Sequence, residues 1–250
     1  MISSHISIRR TSLLMLHILL CLAAMLLLAS CRLPWQHSPF NGTGSKPTAQ
    51  QLLAAVRKSF SSVNAFHVVM RVQNAGSTTG SQFQIRNADG DVVLPDKIKA
   101  QATVILSGQA VTVNLISIGD TQFITDPITG QWRVIKGAID PRTLTNPHSG
   151  IISVVSQLQD VSTPTDDTVN GAPCWRITGK LEAKTLAFIT GGGVPANTAL
   201  QTSECIGKDD SLLYQVIVTG RAAVSYTPQT TLTFLLSNYN EHITITAPQT

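Results

Sequence analysis

The spacing of hydrophobic and polar positions changes several times along this chain, and each change marks an element. Leu52, Val56, Phe60 and Val63 fall on one helical face, with Leu53 beside them and Arg57 and Lys58 pointing elsewhere. Thr48 and Gln51 have the spacing of a capping box, with Pro47 adjacent, so an amphipathic helix of about 15 residues is expected from that point. Period two then takes over. Phe66, Val68, Met70 and Val72 alternate, and Phe83 and Ile85 lead into an expected turn at Asn87-Ala88-Asp89-Gly90. Next, Ile98, Ala100, Ala102, Val104 and Leu106 alternate against Lys97, Lys99, Gln101 and Thr103. Ser107-Gly108-Gln109 reverses the chain into a strand over 111–118. Gly119-Asp120 does the same before Phe123-Ile124, and Asp126-Pro127-Ile128-Thr129-Gly130 before a strand over 132–135.

The second half mixes both periods. Asp140-Pro141 has the form of an N-cap followed by Pro at the first helical position. After Asn146-Pro147, the residues Ile151, Ile152, Val154, Val155 and Leu158 form an apolar helix with little charge. Asn170-Gly171 is a type I′ hairpin signal between Thr168-Val169 and Cys174-Trp175-Arg176-Ile177. Residues 181–189 carry a helical pattern, followed by a flexible Gly191-Gly192-Gly193 link. Strands are expected at 198–206, 212–218, 230–236 and 242–246. The pattern describes an α+β domain over residues 47–250: a meandering antiparallel sheet of about ten or eleven strands, with about three helices.

The first thirty residues read differently. Their only formal charges are Arg9 and Arg10, and an apolar run over 13–28 is broken only by His17. A basic start, a short apolar core and small residues before the break describe a secretory signal peptide over residues 1–30. The run is shorter than the roughly 20 apolar residues that span a bilayer. Leu28-Ala29-Ser30-Cys31 resembles the bacterial lipobox, which implies that Cys31 becomes the first mature residue and carries a diacylglyceryl group on its sulfur. Two acyl chains suffice for stable membrane anchoring. Residues 31–46 then form the lipidated cysteine and a tether rich in Pro, Gly, Ser and Asn. The Asn41-Gly42-Thr43 sequon is an accidental match in a bacterial setting.

Composition sharpens this outline. The 250 residues include 18 basic and 14 acidic side chains, a charged fraction of 13% with 43% hydrophobic and 5% aromatic residues. A chain this apolar does not belong to the disordered class, and a net charge of +4 is too small for a nucleic-acid footprint. Because the leader holds only two charges, it does not explain the scarcity. Four cysteines are present. Cys21 lies in the leader and Cys31 is the lipidation site, which leaves Cys174 and Cys205 as an expected disulfide in an exported domain.

Reactive constellations are missing from the pattern. There is no Gly-x-Ser-x-Gly elbow, His-Glu-x-x-His, Walker loop or Gly-x-Gly-x-x-Gly. His67, His148 and His242 are isolated, so no metal site is expected. Asp166-Asp167 and Asp209-Asp210 read as solvated residues beside turns. Asp140, His148 and Ser149 make a triad on paper only, because sequence neighbours seldom assemble one. Neither an enzyme nor a cofactor is implied.

The order of these motifs resembles the LppX/LprG family of envelope lipoproteins, whose fold is similar to that of the LolA/LolB lipoprotein carriers. The resemblance is carried by the lipobox, by Ser62-Val63-Asn64-Ala65-Phe66-His67-Val68, and by the segment from Asp140-Pro141 to Asn146-Pro147-His148-Ser149-Gly150-Ile151. Thr168-Val169-Asn170-Gly171, Arg176-Ile177-Thr178-Gly179-Lys180 and Ile243-Thr244-Ile245-Thr246-Ala247-Pro248 complete it. It implies a strongly curved half-barrel, its concave face closed by helices over an apolar cavity for acyl chains. Several strands here carry apolar residues on both faces, where a sheet buried on one side alternates cleanly. The expected cavity lining is Val113, Leu115, Ile116, Phe123, Trp132, Val155, Leu158, Leu186 and Phe188. The function expected is an extracytoplasmic carrier on the outer face of the bacterial cell membrane. Its expected partners are acyl-chain lipids or glycolipids, the membrane through Cys31, and a candidate envelope transporter, with no nucleic acid. The alternative is a structural or interaction lipoprotein whose core is filled by its own side chains.

Overall fold

The computed structural model describes residues 46–76, 84–135, 142–143 and 150–249. The expected leader, Cys31, the tether up to residue 45, Phe83, the Asp140-Pro141 cap and residues 146–149 lie outside them.

Eleven strands form one open sheet. They are β1 (Ala65–Gln73), β2 (Gln84–Val93), β3 (Lys97–Leu106), β4 (Gln109–Ile118), β5 (Thr121–Thr125) and β6 (Trp132–Ile135), followed by β7 (Thr165–Val169), β8 (Ala172–Glu182), β9 (Ala199–Gly207), β10 (Leu213–Thr219) and β11 (Thr231–Ser237). Their order is β6-β5-β4-β3-β2-β1-β11-β10-β9-β8-β7, with all neighbours antiparallel. The chain steps outward from β1 to one edge, then re-enters at the other edge and returns until β11 lies against β1.

Helix α1 (Ala49–Phe60) begins with the expected capping box. The Thr48 N–H donates to Gln51 Oε1 at 2.8 Å, and the Gln51 N–H donates to Thr48 Oγ1 at 3.2 Å. Twelve residues are marginal as an isolated helix, so packing must hold it. Leu52, Leu53, Val56 and Phe60 are all buried, each contributing on the order of 1.5–3 kcal/mol. Farther along lie the short helices α2 (Ile151–Ser156) and α3 (Ala187–Thr190), the latter entered through a 3₁₀ turn at Ala183–Leu186.

Register decides where those helices pack. Phe66, Val68, Met70 and Val72 of β1 share a face with Leu232, Phe234 and Leu236 of β11 and with Val216 and Val218 of β10. These side chains join those of α1, α2 and the 3₁₀ turn in one apolar cluster. On the opposite face β8 and β9 carry the expected Cys174–Cys205 disulfide, with a Cα–Cα separation of 5.6 Å. Beside it, the Arg176 guanidinium donates to Asp167, to Ser203 Oγ at 3.1 Å and to Gln215 Oε1 at 2.9 Å.

Three expectations are corrected. Asn87-Ala88-Asp89-Gly90 is not a turn but the middle of β2, paired to β1 on one side and β3 on the other. Gly90 is required there: a Cβ would stand 2.5 Å from both the Ala100 Cβ and the Lys99 carbonyl oxygen. Residues 181–189 do not form a single helix, because Leu181 and Glu182 complete β8 before the 3₁₀ turn begins. Residues 242–246 form no strand. Both flanks of β11 are already occupied, and Asn238 and Asn240, at φ 52° and 61°, end the strand and turn the chain back to the start of β1, where the Asn240 N–H donates to the Ala65 carbonyl at 2.8 Å.

Candidate functional site

Between the apolar sheet face and the short helices lies a hollow lined only by hydrophobic residues. Val68, Val216, Phe234 and Leu236 form its floor; Ile151, Val154, Leu186, Phe188 and Ile189 form its roof. Its free volume is about 20 Å³, room for roughly one water molecule. The roof is built from weak elements. Helix α2 has six residues and Gly150 at its N-cap, without a side-chain cap bond, and α3 has four residues. At the end of α3 the Thr190 hydroxyl bonds the carbonyls of Leu186 at 3.1 Å and Ala222 at 3.0 Å. Gly191, Gly192 and Gly193 then follow with positive φ, the conformation in which glycine is favoured.

The nine expected lining residues do not share one location. Leu186 and Phe188 line the hollow, while Val155 and Leu158 are buried in the same cluster without reaching its wall. Val113 and Leu115 lie on the same sheet face farther out, beside Ala102 and Ala100 of β3. Ile116, Phe123 and Trp132 lie on the opposite face. There Ile116 and Trp132 border an open groove of about 250 Å³ whose other residues include Asp89, Asp91, Lys99, Gln101 and Asn114. The physical reason is the run Leu115-Ile116. Adjacent apolar residues point to opposite faces, and their composition does not say which one meets the helices.

The floor residues Val68, Val216, Phe234 and Leu236 are absent from the expected list. The period-two run Leu232, Phe234, Leu236 already distinguished its face from that of Thr231 and Thr233. A second omission is polar. Leu200, Thr202, Glu204 and Ile206 occupy successive same-face positions on β9, and Glu204 pairs in register with Ile177 of β8 and Val216 of β10. Glu204 is fully buried, and neither carboxyl oxygen has a hydrogen-bond partner; the same holds for the Thr202 hydroxyl. Burial alone pushes the Glu204 carboxyl up to about 8, so it is a neutral acid at neutral pH.

Elsewhere the polar groups are engaged with one another. His67 is not isolated in space: its Nδ1 lies 2.8 Å from Asp91 Oδ1 and its Nε2 3.5 Å from Asp89 Oδ1. Among the described residues no group of three or more ligating side chains could hold a metal ion. Asp166 bonds Lys208 and lies 2.8 Å from Lys46, contacts that hold its carboxyl down at about 2. Asp210 accepts from the Leu212 N–H and the Tyr214 hydroxyl, both at 2.9 Å. No helix among the described residues is long and apolar enough to cross a membrane.

Comparison with known proteins adds the following. The family model described as LppX_LprAFG lipoprotein matches residues 48–245. The lipoarabinomannan carrier protein LprG of Mycolicibacterium smegmatis is 22% identical over 209 residues, covering 81% of this chain and 84% of the relative. The protein of the same name from Mycobacterium leprae is 23% identical over 217 residues, covering 83% and 85%. Among solved structures, LprF from Mycobacterium bovis aligns with a TM-score of 0.63 at 19% identity, over 82% of this chain and 99% of that one. LppX from Mycobacterium tuberculosis aligns with a TM-score of 0.55 at 18% identity, over 78% and 98%. At these identities the structural likeness speaks for the fold.

Proposed function

This chain belongs to the LppX_LprAFG lipoprotein family, and we propose that it is a membrane-anchored lipoprotein that binds an acylated lipid or lipoglycan and carries or presents it in the cell envelope. In this reading the leader is removed, Cys31 carries the lipid anchor, and the following residues tether the domain to the outer face of the membrane. The sheet curves around its cargo with the helices on the concave side, and an envelope transporter exchanges that cargo. The two LprG relatives are named as lipoarabinomannan carriers, which supports a lipoglycan as the class of cargo.

The observation that carries the proposal is the wholly apolar hollow under a roof of short helices. Burying a 16-carbon chain contributes on the order of 12 kcal/mol gross, at about 0.8 kcal/mol per methylene. Lifting the roof exposes Val154, Val155 and Leu186, which are buried in the main cluster, and this gain is what offsets that cost. In this reading binding proceeds by lifting α2 and α3 rather than by filling a standing cavity. The small free volume favours the rival reading, an interaction lipoprotein whose core is already filled.

The contact-defined unit begins at residue 38, and nearly the whole LprF chain aligns with 82% of this one, which supports residues 38–250 as the fragment to test without the leader. Purified from bacteria and examined by native mass spectrometry with solvent extraction, it should carry co-purified lipid and take up a fluorescent fatty acid. Absence of both leaves the filled-core reading.

A further inference from the structure

Strand β9 places oxygen where its neighbours place carbon. Glu204 stands between Ile177 and Val216, and Thr202 lies two positions earlier on the same face, across from Gly179 and Val218. A carboxyl without partners in such surroundings costs several kcal/mol, and side chains of similar volume without polar atoms fill a core at no such cost. Buried polar groups in native proteins are ordinarily paired, so an unpaired acid beside an unpaired hydroxyl calls for an explanation. Its place in the fold supplies one. Val216, the β10 partner of Glu204, is a floor residue of the hollow. Glu204 therefore stands one strand spacing, about 4.8 Å, outside the hollow's floor.

We propose that Glu204, with Thr202 beside it, is the polar anchor of the cargo site, holding the ester or hydroxyl oxygens that join acyl chains to a glycerol-like core. The inference rests on the carrier reading above and adds the polar group that the site recognises. As a neutral acid, Glu204 donates to an ester carbonyl and accepts from a hydroxyl, and Thr202 offers a second donor and acceptor. The two positions are about 7 Å apart along the strand, which suits two oxygens on adjoining ester groups. From β9 to Val68 on β1 the cargo's acyl chains cross three strand spacings, roughly 14 Å, over Val216 and Phe234. A phosphate does not fit this anchor, because burial is the one influence shifting Glu204 and no cation acts on it. The charged or sugar part of a cargo lipid is thus directed away from β9.

Binding to residues 38–250 distinguishes the possibilities, with two probes: diphenylhexatriene, a hydrocarbon dye, and 1,2-dipalmitoylglycerol as its displacer. Relative to the dye, the affinity for dipalmitoylglycerol should fall about tenfold in Glu204→Leu, the loss of one well-made buried hydrogen bond. Glu204→Gln, which keeps a donor and an acceptor, should restore most of it, and Thr202→Val should lower it about threefold. Circular dichroism checks that each variant is folded; if Glu204→Leu fails to fold, Thr202→Val decides. An unchanged ratio in the folded variants overturns the anchor and leaves the carrier reading intact, as does wild-type protein that takes the dye but not dipalmitoylglycerol. Wild-type protein that takes neither overturns both.

Discussion

The two wings of the sheet, on either side of the β1–β11 seam, present different surfaces to the helices. In the wing formed by β7 to β11, large side chains cover the apolar face: Ile177, Leu181, Leu200, Ile206 and Val218 are 0–1% exposed. Its reverse face is fastened by the disulfide and the Arg176 network. In the wing formed by β2 to β6, the corresponding face mixes Gly90, Ala88, Ala100 and Ala102 with the buried Val92, Ile98 and Val113, then the buried Ser117 and Gln122. Leu115 and Ile124 are only half-buried there, and β5 and β6 have five and four residues. One wing is covered mainly by large, closed-off side chains; the other interleaves such side chains with small and polar ones. Stability should therefore reside chiefly in the β7–β11 wing.

The largest expected effect comes from pH, through Glu204. Its folded value of about 8 lies above the ordinary 4.5, so its contribution is complete below pH 4.5 and is lost as pH rises toward 8. The loss is about 1.4 kcal/mol per pH unit across that window. Denaturant unfolding of residues 38–250 at several pH values should show this decline, and Glu204→Gln should flatten it; a slope shared by both proteins would remove Glu204 as its source. Asp166, held down at about 2 by Lys208 and Lys46, acts in the opposite sense. Its contribution is present above pH 3.8 and is lost as pH falls toward 2.

Next in size is the disulfide. Replacing Cys174 and Cys205 with Ala should cost about 3–4 kcal/mol by the chain-entropy relation for a separation of 31 residues. The wings themselves are compared by truncation. Leu200→Ala should cost about 3 kcal/mol in urea unfolding, and Leu115→Ala about 1 kcal/mol, because only the former empties a closed site. Equal costs would erase the distinction between the wings. The smallest effect belongs to neither wing: Thr48→Ala should cost about 1 kcal/mol through the lost α1 cap.

Local signals foretold the parts of the fold that local chemistry controls. The Thr48–Gln51 box opens α1, and Asn170-Gly171 closes the β7–β8 hairpin at φ 51° and 85°. Alternation also located most of the strands. Local signals failed where a neighbouring strand decides. Asn87 and Asp89 are turn-formers, yet ladders on both sides keep them extended, with their side chains on the face away from the helices. Residues 242–246 alternate well, but the strand they follow, β11, is already paired on both sides. The cavity was the hardest feature to read, because face assignment depends on register, and Leu115-Ile116 offers carbon to either side. Glu204 could have been found by carrying the alternation of Leu200, Thr202 and Ile206 through the one acidic position among them.

One contact sets where the domain is leashed. Lys46 reaches Asp166 at 2.8 Å and lies 5.7 Å from the ring of Trp175, so the start of the described chain is pinned beside edge strand β7. With Cys31 anchored as proposed, fifteen residues separate anchor and pin, a reach of at most about 50 Å when fully extended. In that proposal the tether meets the domain at the wing that carries the disulfide.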